Sequence, residues 1–370
     1  MGFWSNLVAP IAKPSITAQN APMVVPDTQG LLTLTSGIGI SRNEAMSVPA
    51  VARCRNLICG VISSMELTTE LKATDEEVPN LPWLNQISKS APNTVVLSWI
   101  VDALLFYGTA YLEVTEIYQD DQRPARFEFV SNNRVIAQLN HNSTFVDEYW
   151  VDSKSRPMSG IGSLVTIQLG GEGILANGAR VLRAAVDLEK AAAVSAATPV
   201  PSGILKNNGA DLGEKEVAGL LAAWKRSRSE RSTAYLTSSL EYQATAFSPK
   251  DMMYNESQQY MATQIARLCN VPAYYISADM NNSMTYSNVQ DERRQFVSLS
   301  LQPFISAIEQ RFSMDDLTPN TQYVSFDMDS GFLRANPMER LNVIEKMLNL
   351  GLISIEQAMA MEELSPNGNN

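Results

Sequence analysis

Apolar residues recur at steps of three and four in the segment that follows Pro49. The residues in this register are Val51, Cys54, Ile58, Val61 and Met65. A stripe with this period predicts an amphipathic helix that buries one face. Ser47 is predicted to cap the helix, because a serine oxygen accepts a backbone N–H of the first turn, and Pro49 suits a first-turn position.

A second apolar stretch, from about Val95 to Phe106, predicts another helix, which Gly108 is placed to end. The sequence then changes to the β-branched and aromatic residues typical of strands. After a strand over 109–115, the residues that continue this pattern are Phe127, Phe129, Val135, Phe145, Tyr149 and Val151. Helices followed by short strands predict that this part of the chain is an α+β domain.

Residues 174–197 predict a long, alanine-rich helix of about 36 Å at 1.5 Å per residue. Charged residues at steps of three, four and three form one stripe along it: Arg180, Arg183, Asp187 and Lys190. One interpretation is a solvated face on which Arg183 pairs with Asp187. The other interpretation places the stripe at a seam between subunits or in the lumen of a channel.

A small α/β unit is predicted after Pro199 and Pro201, which end that helix. It consists of a strand over 203–206, a helix over 214–228 and strands over 233–247. The apolar face of its helix consists of Val217, Leu220, Leu221 and Trp224. A dense basic run closes this helix: Lys225, Arg226, Arg228 and Arg231. These cations either stabilise the helix C-terminus or form a docking patch for an acidic partner or DNA phosphates.

A second long helix is predicted to begin at a capping box over 248–251 and to end at Asn270, before Val271 and Pro272. Met261, Ile265 and Leu268 line one face of this helix. The following helix, from about Ser287, contains Pro303. A proline inside a helix removes a backbone donor, which predicts a kink.

The last part of the chain predicts a strand over 323–332 and then a pair of helices. Capping boxes begin at Asn336 and Ser354, and Gly351 is placed to end the helix between them. At the other end of the chain, residues 1–44 include a segment rich in Pro, Ser, Thr and Gly, which predicts a flexible arm.

Composition narrows the class of protein. The 370 residues are 45% hydrophobic and 18% charged, which allows a real core and excludes global disorder. No run of about 18 apolar residues occurs, so no membrane-spanning helix is expected. The net charge of −11 argues against a basic surface that grips nucleic acid. Cys54, Cys59 and Cys269 are expected to be reduced and buried.

Catalytic motifs are lacking in the sequence. His141 is the single histidine, and its Asn-rich surroundings predict an exposed turn. No zinc motif, phosphate loop or nucleophile elbow is present. Asp315 with Asp316, and Asp327 with Asp329, could hold a divalent cation, but such pairs are more often solvated charges. We therefore expect no enzymatic activity, no cofactor and no metal site.

Four short segments resemble, in order and spacing, those of tailed-bacteriophage portal proteins of long-tailed phages. The segments are 105–111 (Leu-Phe-Tyr-Gly-Thr-Ala-Tyr), 201–205 (Pro-Ser-Gly-Ile-Leu), 264–272 (Gln-Ile-Ala-Arg-Leu-Cys-Asn-Val-Pro) and 285–288 (Thr-Tyr-Ser-Asn). Trp224 also falls at the position of a tryptophan typical of that family. Thr109, Gln264, Cys269 and Asn270 depart from the family pattern.

The resemblance implies a portal-type α+β subunit with a wing, a two-helix stem, a small clip, a kinked long helix and a short helical crown. The implied divisions are an arm at 1–44, a wing at 45–172 with a return at 286–334, stem helices at 173–198 and 248–272, a clip at 199–247, a tunnel loop at 277–286, a kinked helix and wing strand at 287–334, and a crown and tail at 335–370. The helix and strand order predicted from the residues fits this plan.

The resemblance also implies a dodecameric ring at the capsid vertex, which carries DNA during packaging, retention and ejection. The implied partners are other copies of the chain, the major capsid and scaffold proteins, the large terminase subunit, a head–tail adaptor, and double-stranded DNA that passes without sequence-specific contacts. It implies a location in the virion, after assembly in the host bacterial cytoplasm, and no membrane partner. The alternatives are another ring-forming head–tail adaptor and, from a different class, a hydrolase or nuclease.

The resemblance assigns a DNA-facing tunnel loop to Asp279, Met280, Asn281, Asn282, Ser283 and Met284. This segment holds no Lys or Arg, so it is poorly suited to capture phosphate. Its short polar side chains and flexible methionines suit a mobile collar that touches DNA sterically. Without the resemblance, the same residues would be interpreted as an ordinary solvent loop.

Overall fold

The computed structural model describes residues 15–17, 39–139, 146–197, 203–210, 212–229, 238–244, 254–276, 288–328 and 337–361. Helices and small antiparallel sheets share these ranges, which confirms the predicted α+β class. The tunnel loop, His141, Asp329 and Arg231 lie outside the described residues.

The helices of the described ranges are mostly two to five turns long. They are α1 (Arg42–Met46), α2 (Pro49–Ser63), α3 (Pro82–Asn85), α4 (Asn93–Tyr107), α5 (Ile174–Asn177), α6 (Ala179–Ala197), α7 (Glu214–Ser229), α8 (Tyr254–Leu268), α9 (Asn288–Phe296), α10 (Gln302–Phe312), α11 (Pro337–Asn349) and α12 (Ile355–Met361).

The strands form four small sheets in which every pairing is antiparallel. They are β1 (Ser15–Thr17), β2 (Glu66–Leu71), β3 (Glu77–Val78), β4 (Thr109–Ile117), β5 (Pro124–Val130), β6 (Val135–Leu139), β7 (Val146–Val151), β8 (Lys154–Arg156), β9 (Leu164–Gln168), β10 (Gly203–Asn207), β11 (Leu240–Ala244) and β12 (Gln322–Asp327). The strand orders are β1-β6-β7-β8, β5-β4-β9, β12-β2-β3 and β10-β11.

The predicted apolar stripe of α2 is confirmed, because Val51, Cys54 and Ile58 are fully buried. The prediction that Ser47 caps this helix is wrong. Val48 occupies the cap position without a side-chain hydrogen bond, and Ser47 instead donates to the carbonyl of Glu44. Ser47 is not available as the cap because α1 ends immediately before it. Pro49 has no N–H, so the first turn of α2 has one fewer backbone donor that needs a cap.

The core of the predicted wing lies between α2, α4 and the sheet of β4, β5 and β9. Helix α4 is apolar on nearly all sides, which is typical of a helix enclosed in a core. It ends at Gly108, whose φ of 77° is the left-handed conformation predicted for the helix stop. Trp83 packs edge-on against Phe127 and Phe312, with ring centroids 5.6 and 5.2 Å away. This packing ties α3, β5 and α10 to one core.

The single helix predicted over 174–197 is two helices. Gly178 separates α5 from α6, and the side chain of Leu268 on α8 occupies the space where a Cβ of residue 178 would lie, with its methyl carbon 2.2 Å away. Because this approach needs a residue without a side chain, the break in the helix and the contact between α6 and α8 have the same cause.

The kink predicted at Pro303 takes the form of a wide turn. Residues 297–301 are π-helical, with the Gln302 N–H donating to the carbonyl of Val297, five residues earlier, and α10 then begins around Pro303. In a continuous α-helix, residue 303 would donate to the carbonyl of Leu299, but proline has no N–H. The Asn270 side-chain amide donates to that carbonyl instead, at 2.6 Å. Asn270 therefore supplies the donor that proline lacks.

Asn270 also ends α8 as predicted, in the left-handed region at φ 53°. Asparagine tolerates this conformation better than most residues with a side chain. Its backbone conformation places the side chain beneath the π turn, so one residue ends the second stem helix and supports the kink of the next.

The end of the chain agrees with the predicted helical pair. Gly351, at φ 69°, follows α11. Ser354 and Gln357 form the predicted capping box: the Ser354 N–H donates to the Gln357 side chain at 2.9 Å, and the Gln357 N–H donates to the Ser354 hydroxyl at 3.2 Å. The strand predicted over 323–332 is shorter within the described residues, since β12 ends at Asp327. The arm also differs from the prediction, because Ser15–Thr17 pairs with β6 and helix α1 begins at Arg42.

We expect Asn270→Gly to lower the free energy of unfolding by about 1 kcal/mol, the usual net value of one hydrogen bond, since glycine keeps the backbone conformation but not the amide. Asn270→Ala should cost about 1 kcal/mol more, because alanine is strained at positive φ. Urea unfolding of each variant measures these values. In a Pro303→Ala background, residue 303 regains an N–H, so the cost of Asn270→Gly should shrink. An equal cost in both backgrounds would contradict the assigned role of Asn270.

Candidate channel and docking surfaces

The two predicted stem helices are buried only where they meet the wing. In α6 the buried residues are Ala179, Leu182, Ala185 and Val186, all in its first half. In α8 the buried residues are Ile265 and Ala266, at its far end. The chain leaves the main core through α6 and returns to it through α8. The buried parts, which are the start of α6 and the end of α8, therefore lie side by side. The other halves of both helices extend away from the core of this subunit.

The surface of the extended halves mixes apolar and polar groups. Val194 on α6 is 67% exposed, and Tyr260 on α8 is 61% exposed. Between the helices and the start of α2 lies a cavity of about 520 Å³, whose lining includes Pro49, Met261 and Ile265. Exposed apolar residues beside an open groove are typical of surfaces that another protein covers.

The predicted polar stripe of α6 is only partly on the surface. Arg180, Asp187 and Lys190 are exposed, as the solvated-face and the seam interpretations both require. The predicted pairing of Arg183 with Asp187 is wrong. Arg183 instead donates to the Glu44 carboxylate at 3.1 Å and to the carbonyl of Gly39.

Helix α1 provides the partner that Arg183 takes. Ser41 and Glu44 form a reciprocal capping box, and hydrogen bonds from the Ser41 backbone and side chain, with the Arg183 guanidinium, lower the pKa of Glu44 to about 2. The carboxylate is thus charged and turned towards α6. The Ser-x-x-Glu pattern at 41–44 is typical of such a cap. The sequence around residue 183 does not indicate that Arg183 would reach it.

Helix α7, in the predicted clip, leaves its predicted apolar face largely exposed. Val217 is 40% and Leu221 is 53% exposed, while Trp224 packs against Tyr242 of β11 with ring centroids 5.3 Å apart. A two-stranded sheet is too small to cover a four-turn helix. Arg226 is exposed and engaged within the subunit, while the side chains of Lys225 and Arg228 lie outside the description.

The turn that precedes the predicted tunnel loop packs against α9 and α2. The ring of Tyr275, in the turn Ala273–Ile276, stacks on Phe296 of α9 with centroids 4.8 Å apart. Arg53 of α2 donates to the carbonyl of Tyr275 at 3.3 Å. These contacts fix the position of the turn that immediately precedes the predicted loop.

The predicted crown presents apolar residues to solvent in the single chain. Those of α11, α12 and the connection between them that are more than half exposed are Met338, Leu341, Val343, Leu350, Leu352 and Ile355. One buried apolar residue, Ala358, lies in α12. A helical pair with this surface cannot be stabilised by its own core alone.

Two of the candidate cation ligands, Asp316 and Asp327, have other partners. Arg311 holds the Asp316 carboxylate with two hydrogen bonds of 2.9 and 2.8 Å and also donates to the carbonyl of Thr166. Asp327 lies at the end of β12, opposite Glu66 in the register. Among the described residues, no group of three His, Cys, Asp or Glu side chains could hold a metal ion.

The glycine-rich segment 170–173 has a packing role. A Cβ at Gly173 would lie 2.2 Å from the carbonyl oxygen of Phe106, so the segment passes directly over the end of α4. The three cysteines are free and buried, as predicted. Burial raises the pKa of Cys59 to about 12, which keeps the thiol protonated. Neither feature supports catalysis.

A polar pocket of about 400 Å³ lies where α1 meets the wing core. At its base the buried Asp102 accepts hydrogen bonds from Arg42 at 2.7 and 2.8 Å and from Arg55 at 2.7 Å. Arg42 also lies over the ring of Phe106. The two guanidiniums satisfy the one carboxylate, and the network fixes α1 to α2 and α4. Within the described part of the chain, no helix is long and apolar enough to cross a membrane.

Comparison with known proteins identifies the family of this chain. The profile of the family described as phage portal protein matches residues 49–363. A curated relative, described as a probable portal protein of Streptomyces phage phiC31, is 23% identical and aligns with 99% of this chain and 86% of its own length.

Solved structures share the fold. An HK97-family phage portal protein from Corynebacterium diphtheriae superposes with a TM-score of 0.62 at 22% identity, over 80% of this chain and 99% of that one. A chain in the neck of a native gene transfer agent particle, computed with C12 symmetry, gives a TM-score of 0.58 at 18% identity, over 92% of this chain and 99% of that chain. The family match covers most of the chain and the fold agrees with it, so this chain belongs to the phage portal protein family.

Proposed function

We propose that twelve copies of this chain form a ring at the capsid vertex, and that double-stranded DNA passes through its centre. Portal proteins are structural components of phage particles. The observation that carries the proposal is the uncovered state of the extended halves of α6 and α8 in one subunit. A ring covers such surfaces because each copy presents both sides of the seam to its neighbours. Likeness to a chain from a C12 neck supports the number twelve.

The domain divisions are part of this proposal. The wing is assigned to 45–172 with the return of 286–334, the stem to 173–198 and 248–272, the clip to 199–247 and the crown to 335–370. Two observations support the stem assignment: α6 and α8 pack together at Gly178 and Leu268, and both leave the wing at the same end.

Docking partners are assigned by charge and position. We assign the basic run Lys225, Arg226, Arg228 and Arg231 to an edge of the clip that contacts the terminase or the head–tail adaptor. Opposite charges across such an edge speed association, and the contact weakens as salt is raised. The major capsid and scaffold proteins would contact the outer surface of the ring. Assembly in the host cytoplasm and residence in the virion follow from the same proposal.

The ring itself is tested by native mass spectrometry combined with negative-stain microscopy. We expect one main species of about twelve times the 40.7 kDa of a single chain, with a central hole in projection. The same preparation should hydrolyse neither ATP nor DNA. A compact monomer with hydrolytic turnover would contradict the proposal and support the hydrolase alternative.

We further propose that residues 279–284 form a collar in the channel. The stacking of Tyr275 on Phe296 supports this, because it fixes the turn that immediately precedes the loop. The absence of Lys and Arg from the segment supports a contact with DNA that does not hold the phosphates.

Deletion of residues 281–284 should leave rings and heads intact but reduce the DNA packaged or retained per head. Changing both Asn281 and Asn282 to Lys should also slow packaging, because the new cations would bind phosphate. The matched control changes both residues to Gln, which keeps them neutral and should package as wild type. Packaged DNA per head, measured by quantitative PCR after nuclease treatment, reports the result. Wild-type packaging by the deletion variant would show that the loop is only a connector.

A further inference from the structure

The short strand β1 completes the edge of a sheet. Residues Ser15–Thr17 pair antiparallel with β6, with Ser15 opposite Gln138, Ile16 opposite Ala137 and Thr17 opposite Ile136. Without β1, the strand order β6-β7-β8 would leave one side of β6 unpaired. An open strand edge is a template for pairing with any extended segment of matching register.

Strand β6 packs on a small, separate hydrophobic core. Val135 and Val151 are fully buried, and Ala137 is nearly so, in a cluster that also contains Tyr111 and Tyr149. This cluster is separate from the main wing core. Each subunit therefore carries a stable strand edge, with its own support, that an arm can occupy.

The segment that connects β1 to α1 is long compared with the distance between its two ends. Thr17 pairs beside the start of β6, and Ser131, Asn132 and Asn133, just before β6, line the same 400 Å³ pocket as Ser41. The two ends of the connection therefore lie near one another. The 21 residues 18–38 join them, and a chain of that length spans at most ~70 Å when extended.

The exit of the connection is fixed in direction. Arg183 of α6 donates to the carbonyl of Gly39 as well as to Glu44, so the arm leaves the body beside the first stem helix. In the ring of the proposed function, that helix is at or near the boundary with a neighbouring copy. The arm therefore starts beside the next subunit, with enough length to reach it.

We propose that β1 of each subunit pairs with β6 of a neighbouring subunit, so that the arms link the ring as a closed chain of exchanged strands. This inference rests on the proposed ring. The exchanged pairing has the same hydrogen bonds as the pairing within one chain, so exchange costs little. It also links each subunit to a neighbour through a second contact, which raises the effective concentration of the partners for one another. The occupant of the β6 edge is thus residues 15–17 of a second copy.

The register makes a covalent test possible. Residues directly opposite in an antiparallel pair have Cα atoms about 4.5–5.5 Å apart, within the range that a disulfide spans. Ser15→Cys combined with Gln138→Cys places two thiols opposite each other. Because Cys54, Cys59 and Cys269 are buried, mild oxidation of intact rings should join only the introduced thiols.

Exchange predicts that the oxidised double variant gives a ladder of covalent oligomers on a non-reducing denaturing gel, and that the ladder collapses on reduction. A cross-link confined to monomers would show that each arm pairs with its own subunit and would overturn the proposal. Failure to cross-link would overturn it as well, because the edge would then not hold this segment.

Two controls separate these outcomes from other causes. Ser15→Cys with Glu148→Cys should not cross-link, since residue 148 lies on β7, opposite Gln138, about 10 Å from β1. Rings assembled from a mixture of Ser15→Cys chains and Gln138→Cys chains should give covalent dimers, which only exchange can produce. Microscopy before oxidation shows whether rings are present, so loss of the ring, which would contradict the proposed function, is distinguished from loss of exchange.

Discussion

The burial of the stem helices at one end only is the constraint on which the architecture depends. Leu268 packs into the space left by Gly178, and one face of α6, from Ala179 to Val186, lies in the main core. Beyond Val186, no residue of α6 whose side chain the structure describes is fully buried. A helix in water gains most of its stability from tertiary packing of its apolar face. The proposed ring of identical copies would supply a surface that covers the extended halves.

The wing provides the rigid base that makes such an extension possible. Asp102 holds Arg42 and Arg55, which fixes α1 and α2 to α4, and Glu44 then receives Arg183 from α6. On the other side, Asn270 joins the end of α8 to the π turn before Pro303. Both stem helices and the kinked helix are thus held at their wing ends by specific polar contacts. Their directions are set in the subunit before any neighbour arrives.

Local sequence patterns predicted most helices and strands of this fold. The stripe from Val51, the stop at Gly108, the interruption near Pro303 and the capping box at Ser354 all depend on residues close together in the chain, so they could be read directly. The resemblance added the order of the domains, which no local pattern provides.

Apart from the cap assigned to Ser47, which is a local error, the errors concern contacts between distant residues. Gly178 interrupts a predicted helix, and Leu268, 90 positions later, occupies the space that a side chain at residue 178 would need. Arg183 pairs with Glu44, 139 positions earlier, instead of the Asp187 one turn away. The spacing of residues in a helix indicates which side chains of that helix lie close together. It carries no information about another helix or strand that packs alongside. For the same reason, the sequence alone did not indicate that the arm would form a strand with β6.

Amide hydrogen exchange in assembled rings and in chains dissociated by dilution tests the central claim most directly. If neighbours cover the stem, residues 187–194 of α6 and 255–262 of α8 exchange slowly in the ring and much faster after dissociation, while α4 remains equally protected in both. Equal protection of the stem segments in both states would show that the single chain stabilises them by itself, and would contradict this account.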